Sequence, residues 1–375
     1  MSQTLIDNSP HTLRAPGRVN LIGEHTDYND GFVMPAAIDL SVYVQVWSRE
    51  DRRLEIQSEN FADQIEFDLD QPHPQRRGHW SDYIVGVAVT LERAGHRLRG
   101  ANLKIRGEVP LGSGLSSSAA VEVATACALA ANSNLTIDRR EFALLCQRAE
   151  NEFVGARVGI MDQFVAFFGK EQRALLLDCR SLEFKLLPLP DTVNLVICNT
   201  MVKHALASSA YNERRAQCEA GVQYLAQRLP NVKALRDVTL DELEQFGREL
   251  PEVVYRRCRH VVTENARVLA AAEALEQHDL RRFGELMVKS HSSLRSDYEV
   301  SSEELDVMVE LAKWSEGVYG ARMTGGGFGG CTVNLVDARY VDQVTSFVAR
   351  QYEHITKLRP EIYVCEASNG AEEIQ

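Results

Sequence analysis

The chain has 375 residues, 45% hydrophobic and 25% charged, with 41 basic against 53 acidic side chains and a net charge of −12. At roughly 100–200 residues per domain that length predicts two domains or three, with enough apolar material for a core that needs no disulfide or metal staple. Collagen-like, low-complexity and largely disordered classes are excluded. The acidic balance disfavours nucleic acid and anionic membrane as partners, yet leaves room for a small anionic ligand at a local site.

The first 18 residues contain no apolar core of signal-peptide length, and no run reaches the ~18 apolar residues of a membrane span. Eight cysteines form no C-x-x-C pair, and several, such as Cys198 in LVICNT and Cys331 in GCTVNLV, sit in apolar runs. They read as buried reduced thiols, which points to a cytoplasmic chain. Residues 15–28, APGRVNLIGEHTDY, gather an arginine, a glutamate, a histidine and an aspartate among short turns. Carboxylates beside an imidazole suit recognition of several hydroxyls, because each carboxylate accepts more than one hydrogen bond. Glu24-His25 lacks the second histidine of HExxH, so zinc is not indicated.

Residues 38–47 alternate Ile38, Leu40, Val42, Val44 and Val46 with polar or amphipathic neighbours and predict a half-buried strand. Residues 101–106 are a shorter strand candidate. VPLGSGLSSSAA at 109–120 then runs into an alanine-rich helix, VEVATACALAA. Glycines that let the backbone turn, followed by a helix N-terminus with free N–H groups, form a phosphate cradle. Ser116, Ser117 and Ser118 add hydroxyls for phosphate or magnesium. The loop is neither a Walker A loop nor GxGxxG. Asp138 and Glu141 predict a capping box that opens a helix through about Glu152. Glu150 on that helix is a possible metal ligand, since magnesium takes hard oxygen ligands. Asp162, set between Met161 and a Phe/Val-rich stretch, must be paired, metal-bound or catalytic.

Residues 173–178 and 193–199 predict strands. A shift from strand-led to helix-led sequence near 178–192, with PLP at 188–190, marks a domain boundary. Helices are predicted at 209–228, 258–275, 301–315 and 339–354, and a closing strand at 361–366. Gly325–Gly330 matches GxGxxG formally, but it leads into the strand-like CTVNLV rather than a helix, so a dinucleotide site fails its structural context. Five glycines in these six residues still require close backbone approach to some neighbour.

Taken together, GRVNLIGEHTDYNDG at 17–31, PLGSGLSSSAA at 110–120 and TGGGFGGCTV at 324–333 resemble, in order, the three motifs of the galactokinases of the GHMP kinase superfamily. RAENEFVG, GIMDQF and HALASSAYNERRAQCE at 204–219 are similar to further galactokinase segments. The resemblance implies an α+β, two-domain GHMP kinase fold. It implies a ribosomal-protein-like mixed-sheet domain at 1–180, a C-terminal GHMP domain at 181–375 and an active site in the cleft between them. It also implies ATP-dependent phosphorylation of the anomeric hydroxyl of D-galactose, with Mg2+; a monomer is the separate expectation.

Residue by residue, the resemblance makes Asp162 the base and Arg18 the transition-state arginine. Glu24, His25, Thr26, Asp27 and Tyr211 fall at sugar-binding positions. Gly112, Ser113, Gly114, Leu115, Ser116, Ser117 and Ser118 form the ATP phosphate loop. Ser118 and Glu150 become magnesium ligands, and Trp80 lies near the adenine. Two alternatives stay open from sequence: a kinase of another galactose-like sugar (N-acetylgalactosamine, galacturonate or arabinose), and a non-catalytic sugar and ATP sensor.

Overall fold

The computed structural model describes residues 10–71, 74–203 and 207–374. Residues 204–206, which open the segment HALASSAYNERRAQCE, and the first nine residues lie outside the described residues.

The first half is led by strands. They are β1 (His11–Asn20), β2 (Phe32–Val33), β3 (Pro35–Ser48), β4 (Arg53–Ser58) and β5 (Asp63–Asp68). Helix α1 (Asp82–Arg93), β6 (Ala101–Gly107), α2 (Ser117–Ser133), α3 (Arg139–Arg148) and α4 (Met161–Phe168) follow, then β7 (Arg173–Asp178), β8 (Phe184–Pro188) and β9 (Val193–Lys203). The second half carries α5 (Ala207–Ala226), α6 (Leu240–Phe246), α7 (Glu252–Glu276), α8 (Leu280–Ser293) and α9 (Glu303–Lys313). It closes with β10 (Val318–Thr324), β11 (Gly329–Asp337), α10 (Val341–Thr356), β12 (Glu361–Cys365) and β13 (Glu372–Ile374). The α+β class holds.

A six-stranded sheet runs β13-β1-β3-β6-β4-β5, mixed because β4 lies parallel to β6 while the other pairs are antiparallel. The alternation read at 38–47 is the register of β3: Ile38, Val42, Val44 and Val46 are buried and Asp39 is exposed. Helix α2 packs across β1 and β3. It is apolar nearly all round, as a helix enclosed on several sides must be. A second, antiparallel sheet runs β10-β11-β9-β12 and packs against α8, α9 and α10; β2-β7-β8 form a third. The largest core joins the first sheet to α1–α4 and reaches β9 and β11 of the second sheet. The last strand, β13, returns to pair with β1.

Several expectations change in detail. The N-terminal constellation is not a run of turns: Arg18 and Asn20 belong to β1, and the turns begin after it. Asp138 caps α3 by accepting from the Arg140 and Glu141 N–H groups, but the Glu141 carboxylate faces His96 at 3.3 Å instead of closing a capping box. The helix continues beyond α3 as a π-helical turn, Ala149–Val154. Helix α7 starts at Glu252, earlier than the periodicity indicated, behind Pro251 at its N-cap. Gly325–Phe328 is the turn between antiparallel β10 and β11, which removes any dinucleotide-binding strand–loop–helix. All eight cysteines are free and six are buried.

Candidate active site

The loop between β6 and α2 turns on Gly112 and Gly114, both at positive φ (67° and 83°). Ser116 occupies the N-cap of α2 in the left-handed region, yet its hydroxyl does not cap the helix. It donates to Asp162 Oδ2 instead. The serine run therefore serves the site rather than only the helix end. The glycine hairpin tip lies backbone against backbone on this loop. A Cβ at Gly325 would stand 2.9 Å from the Gly114 carbonyl oxygen, and one at Gly330 2.8 Å from that of Ser113. That contact accounts for glycine in the second cluster: it braces the first.

Arg18, near the end of β1, and Asp162, in the first turn of α4, meet in a two-pronged ion pair. Nε donates to Oδ1 and Nη2 to Oδ2, each at 2.8 Å. Such fork-to-fork pairing fixes orientation as well as charge. The third prong, Nη1, donates to the Gly114 carbonyl at 2.6 Å. One arginine thus ties the carboxylate to the phosphate loop. The Arg18 side chain is 6% exposed, whereas that of Asp162 is 22% exposed and so open to a ligand.

The residues expected at sugar-binding positions collect beside this pair. Asp27 approaches so closely that a Cβ at Gly159 would sit 1.9 Å from its Oδ2. Burial, followed by the neighbouring charge of Asp162, pushes the Asp27 carboxyl up to about 6. Tyr211 on α5 comes within the electrostatic reach of Asp27 and Asp162, and its ring lies 5.6 Å from that of His25. Glu24 is buried against Arg322, with Asn20 Nδ2 donating at 2.9 Å and the Gly325 N–H at 3.0 Å. Burial raises its pKa, against the pull of Arg322. His25 is 4% exposed with φ of 65°. Burial lowers its pKa well below the usual imidazole value, so the ring is neutral. The Thr26 hydroxyl is buried against the Gly23 and Phe32 carbonyl oxygens at 2.7 and 2.6 Å, where it closes the turn.

Behind that turn, Arg236 pairs with Asp178 (Nη2 to Oδ2, 2.7 Å) and donates to the Asp30 carbonyl at 3.1 Å. Arg180 spans Asp237 at 2.6 Å and Asp30 at 3.1 Å. At Asp178, burial pushes the carboxyl up but is outweighed by Arg236 and two backbone N–H groups, which hold it at about 2; Arg180 holds Asp237 at about 2. Both values lie below the ordinary 3.8. The unfolded chain then binds more protons between these values, so this contribution to stability is present above pH ~4 and is lost as pH falls toward 2. Urea melts across that window should show a falling slope that Arg236→Ala makes shallower.

Glu150, in the π-helical turn, is 5% exposed and receives Gln163 Nε2 at 2.6 Å. Burial, then the charge of Asp162, pushes it up to about 7, while a hydrogen bond from Ser118 favours its charged form. The same Gln163 amide donates to Glu122 at 3.0 Å. Glu122 is fully buried, and burial holds it well above the carboxylate range. A buried carboxylate with few cationic neighbours is stabilised by a divalent cation. Glu150 with Ser118 therefore fits one or two magnesium positions, the rest falling to phosphate and water. Among the described residues, no cluster of three or more His, Cys, Asp or Glu could hold a metal by itself.

Next to the loop, a cavity of about 510 Å³ is lined by Phe61, Trp80, Tyr83, Leu111, Gly112 and Ser118. Trp80 stacks on Phe61 at 5.6 Å and donates its indole N–H to Asp63 at 3.0 Å. An apolar slot that ends at a phosphate cradle suits a nucleotide base. Sequence reasoning missed Arg322 and Gln163. Each lies in an ordinary-looking helix or strand, and only the fold brings it to the site.

Residues 82–170 match the family described as GHMP kinases N terminal domain, 271–354 match GHMP kinases C terminal, and 3–47 match the Galactokinase galactose-binding signature. The galactokinase of Roseiflexus sp. (strain RS-1) is 49% identical over 362 residues, covering 96% of this chain and 92% of that protein. The chain belongs to the galactokinase family. The crystal structure of Lactococcus lactis galactokinase complexed with galactose superposes with a TM-score of 0.94 at 38% identity, covering 98% of this chain and 95% of that one. The mevalonate kinase of Methanococcus jannaschii, at 18% identity and a TM-score of 0.69, shares the GHMP fold. Among the described residues, no helix is long and apolar enough to cross a membrane.

Proposed function

We propose that the chain transfers the γ-phosphoryl group of ATP to the anomeric hydroxyl of D-galactose, giving galactose 1-phosphate and ADP. One observation carries the reading. The Arg18–Asp162 ion pair is bonded to the phosphate loop on one side and flanked by Asp27 and Tyr211 on the other. A carboxylate between a sugar site and a phosphate site is placed to take the hydroxyl proton as bonding to phosphorus develops.

Phosphoryl transfer has a loose transition state, so positioning and charge neutralisation dominate its catalysis. Asp162 would orient the anomeric hydroxyl and accept its proton. Arg18 would steady Asp162 and offset charge on the transferring group. The N–H groups at the start of α2 would hold phosphate oxygens. Ser118 and Glu150 would hold Mg2+, which, when bound, offsets phosphate charge. Glu24, His25, Asp27 and Tyr211 would read the sugar hydroxyls, and Trp80 would line the base pocket. The lobes implied at 1–180 and 181–375 belong to the same reading, as does a cytoplasmic location, which suits eight free thiols.

A coupled ADP-release assay with ATP, magnesium and a sugar panel tests it. Galactose should turn over and glucose should not, because buried acceptors left without a partner reject the epimer. Turnover with only N-acetylgalactosamine, galacturonate or arabinose would reassign the substrate. No turnover despite galactose and ATP binding would overturn the kinase reading.

A further inference from the structure

We propose that Tyr28 is a positioning residue for His25: its phenolic proton is donated to Nδ1, so that the buried imidazole offers Nε2–H as a hydrogen-bond donor to a sugar oxygen. The proposal rests on the reading that His25 faces the bound sugar. A neutral imidazole carries one donor and one acceptor nitrogen, and the bond made by one nitrogen sets the role of the other.

His25 Nδ1 lies 2.8 Å from the Tyr28 hydroxyl, which lies 2.8 Å from that of Tyr298, which lies 3.2 Å from Cys218 Sγ. His25 Nε2 is buried and makes no hydrogen bond of ordinary geometry within the protein; the Gly326 backbone beside the ring favours a proton on it. Tyr298 is fully buried between the rings of His25 and His260, each 4.6 Å away. His260 is itself spoken for, with Nδ1 2.9 Å from the Ser293 hydroxyl and Nε2 3.2 Å from the Glu24 carbonyl.

The protons along this chain can run in two directions. Run toward Cys218, the imidazole gives Nδ1–H to Tyr28, and the last phenolic proton lands on a thiol sulfur. Sulfur is a weak acceptor, and this one already faces the Asn29 side chain. Run toward His25, the weak S–H donor starts the chain, and the strongest acceptor, the imidazole nitrogen, ends it. Burial holds both phenols well above their usual pKa, so each keeps a proton that must be placed. A buried donor without an acceptor costs more than a buried acceptor without a donor. The geometry therefore favours the second direction, which leaves the proton of His25 on Nε2.

The test uses the full chain with isotopically labelled histidine. Nitrogen shifts of His25 should report the Nε2–H tautomer in the wild type and its loss in Tyr28→Phe, which keeps the ring and deletes the hydroxyl. Tyr28→Phe should also raise the galactose KM roughly 3–10-fold while kcat and the ATP KM stay within about twofold. Tyr298→Phe should keep the tautomer and the KM, because Tyr28 still has the imidazole as its acceptor. An Nδ1–H tautomer in the wild type, or an unchanged tautomer in Tyr28→Phe, overturns the proposal. An equal rise in KM in Tyr298→Phe also overturns it, since that would mean general loosening of the cluster. His25→Gln separates the underlying reading. If it leaves the galactose KM unchanged, His25 does not face the sugar, and the donor role falls whatever the tautomer.

Discussion

Asp162→Ala is expected to lower turnover roughly 100- to 10,000-fold, the range for loss of a positioned general base, while ATP still binds. Three donors converge on this carboxylate: two prongs of Arg18 and the Ser116 hydroxyl. They fix its direction without closing it off, since its side chain remains 22% exposed and Oδ1, which accepts only Arg18 Nε, keeps a second acceptor site. Truncation removes the proton acceptor and leaves Arg18 buried without its partner. Breaking a buried pair from one side costs about 3–5 kcal/mol, so the melting temperature should fall as well. Two measurements separate the effects: ATP binding and circular dichroism at assay temperature should match wild type, and activity should not. Turnover within about tenfold of wild type, a difference of ~1.4 kcal/mol in barrier, would remove Asp162 from the role.

Local sequence carried the elements whose neighbours do not matter. The period-two pattern of Ile38 to Val46 is β3 because a sheet with one buried face demands it. The alanine-rich run after the serines is α2, and the missing helix after Gly330 was enough to reject a dinucleotide site. Helix α1 was not legible. Ile84, Val85, Val87, Val89 and Thr90 are β-branched and look like a strand, and tertiary burial overrides that propensity. Nor was the pairing of β13 with β1, which joins the two ends of the chain. At the site, glycine and serine chemistry by itself marked the loop before α2 as a candidate phosphate cradle. The meeting of Arg18 and Asp162 came only through the family resemblance, because no local pattern links residues so far apart, and the bond from Ser116 to Asp162 came from the fold alone. Glu122 reads as an ordinary helix-surface acid until the fold buries it beside Gln163. Thr26 stands inside the most specific motif, yet its hydroxyl serves the turn.

Arg18→Met is expected to reduce kcat by roughly 1,000-fold, the lower end of what a transition-state arginine contributes to phosphoryl transfer. The side chain has three anchored donors, and they do different things. Nε and Nη2 orient Asp162, while Nη1 grips the Gly114 carbonyl and so ties that carboxylate to the glycine-rich loop. Arg18→Lys keeps the charge but lacks the planar fork, so it cannot make the two parallel bonds and the loop bond together. It should recover only part of the loss. The two variants therefore separate charge from geometry. If Lys restores nearly full kcat, Arg18 acts as a point charge and the fork is incidental. If Lys is as poor as Met, alignment of Asp162 with the loop is the main contribution. A pure alignment defect should lower kcat and leave the galactose and ATP KM values near wild type, because it acts where the two substrates meet and not where either one binds.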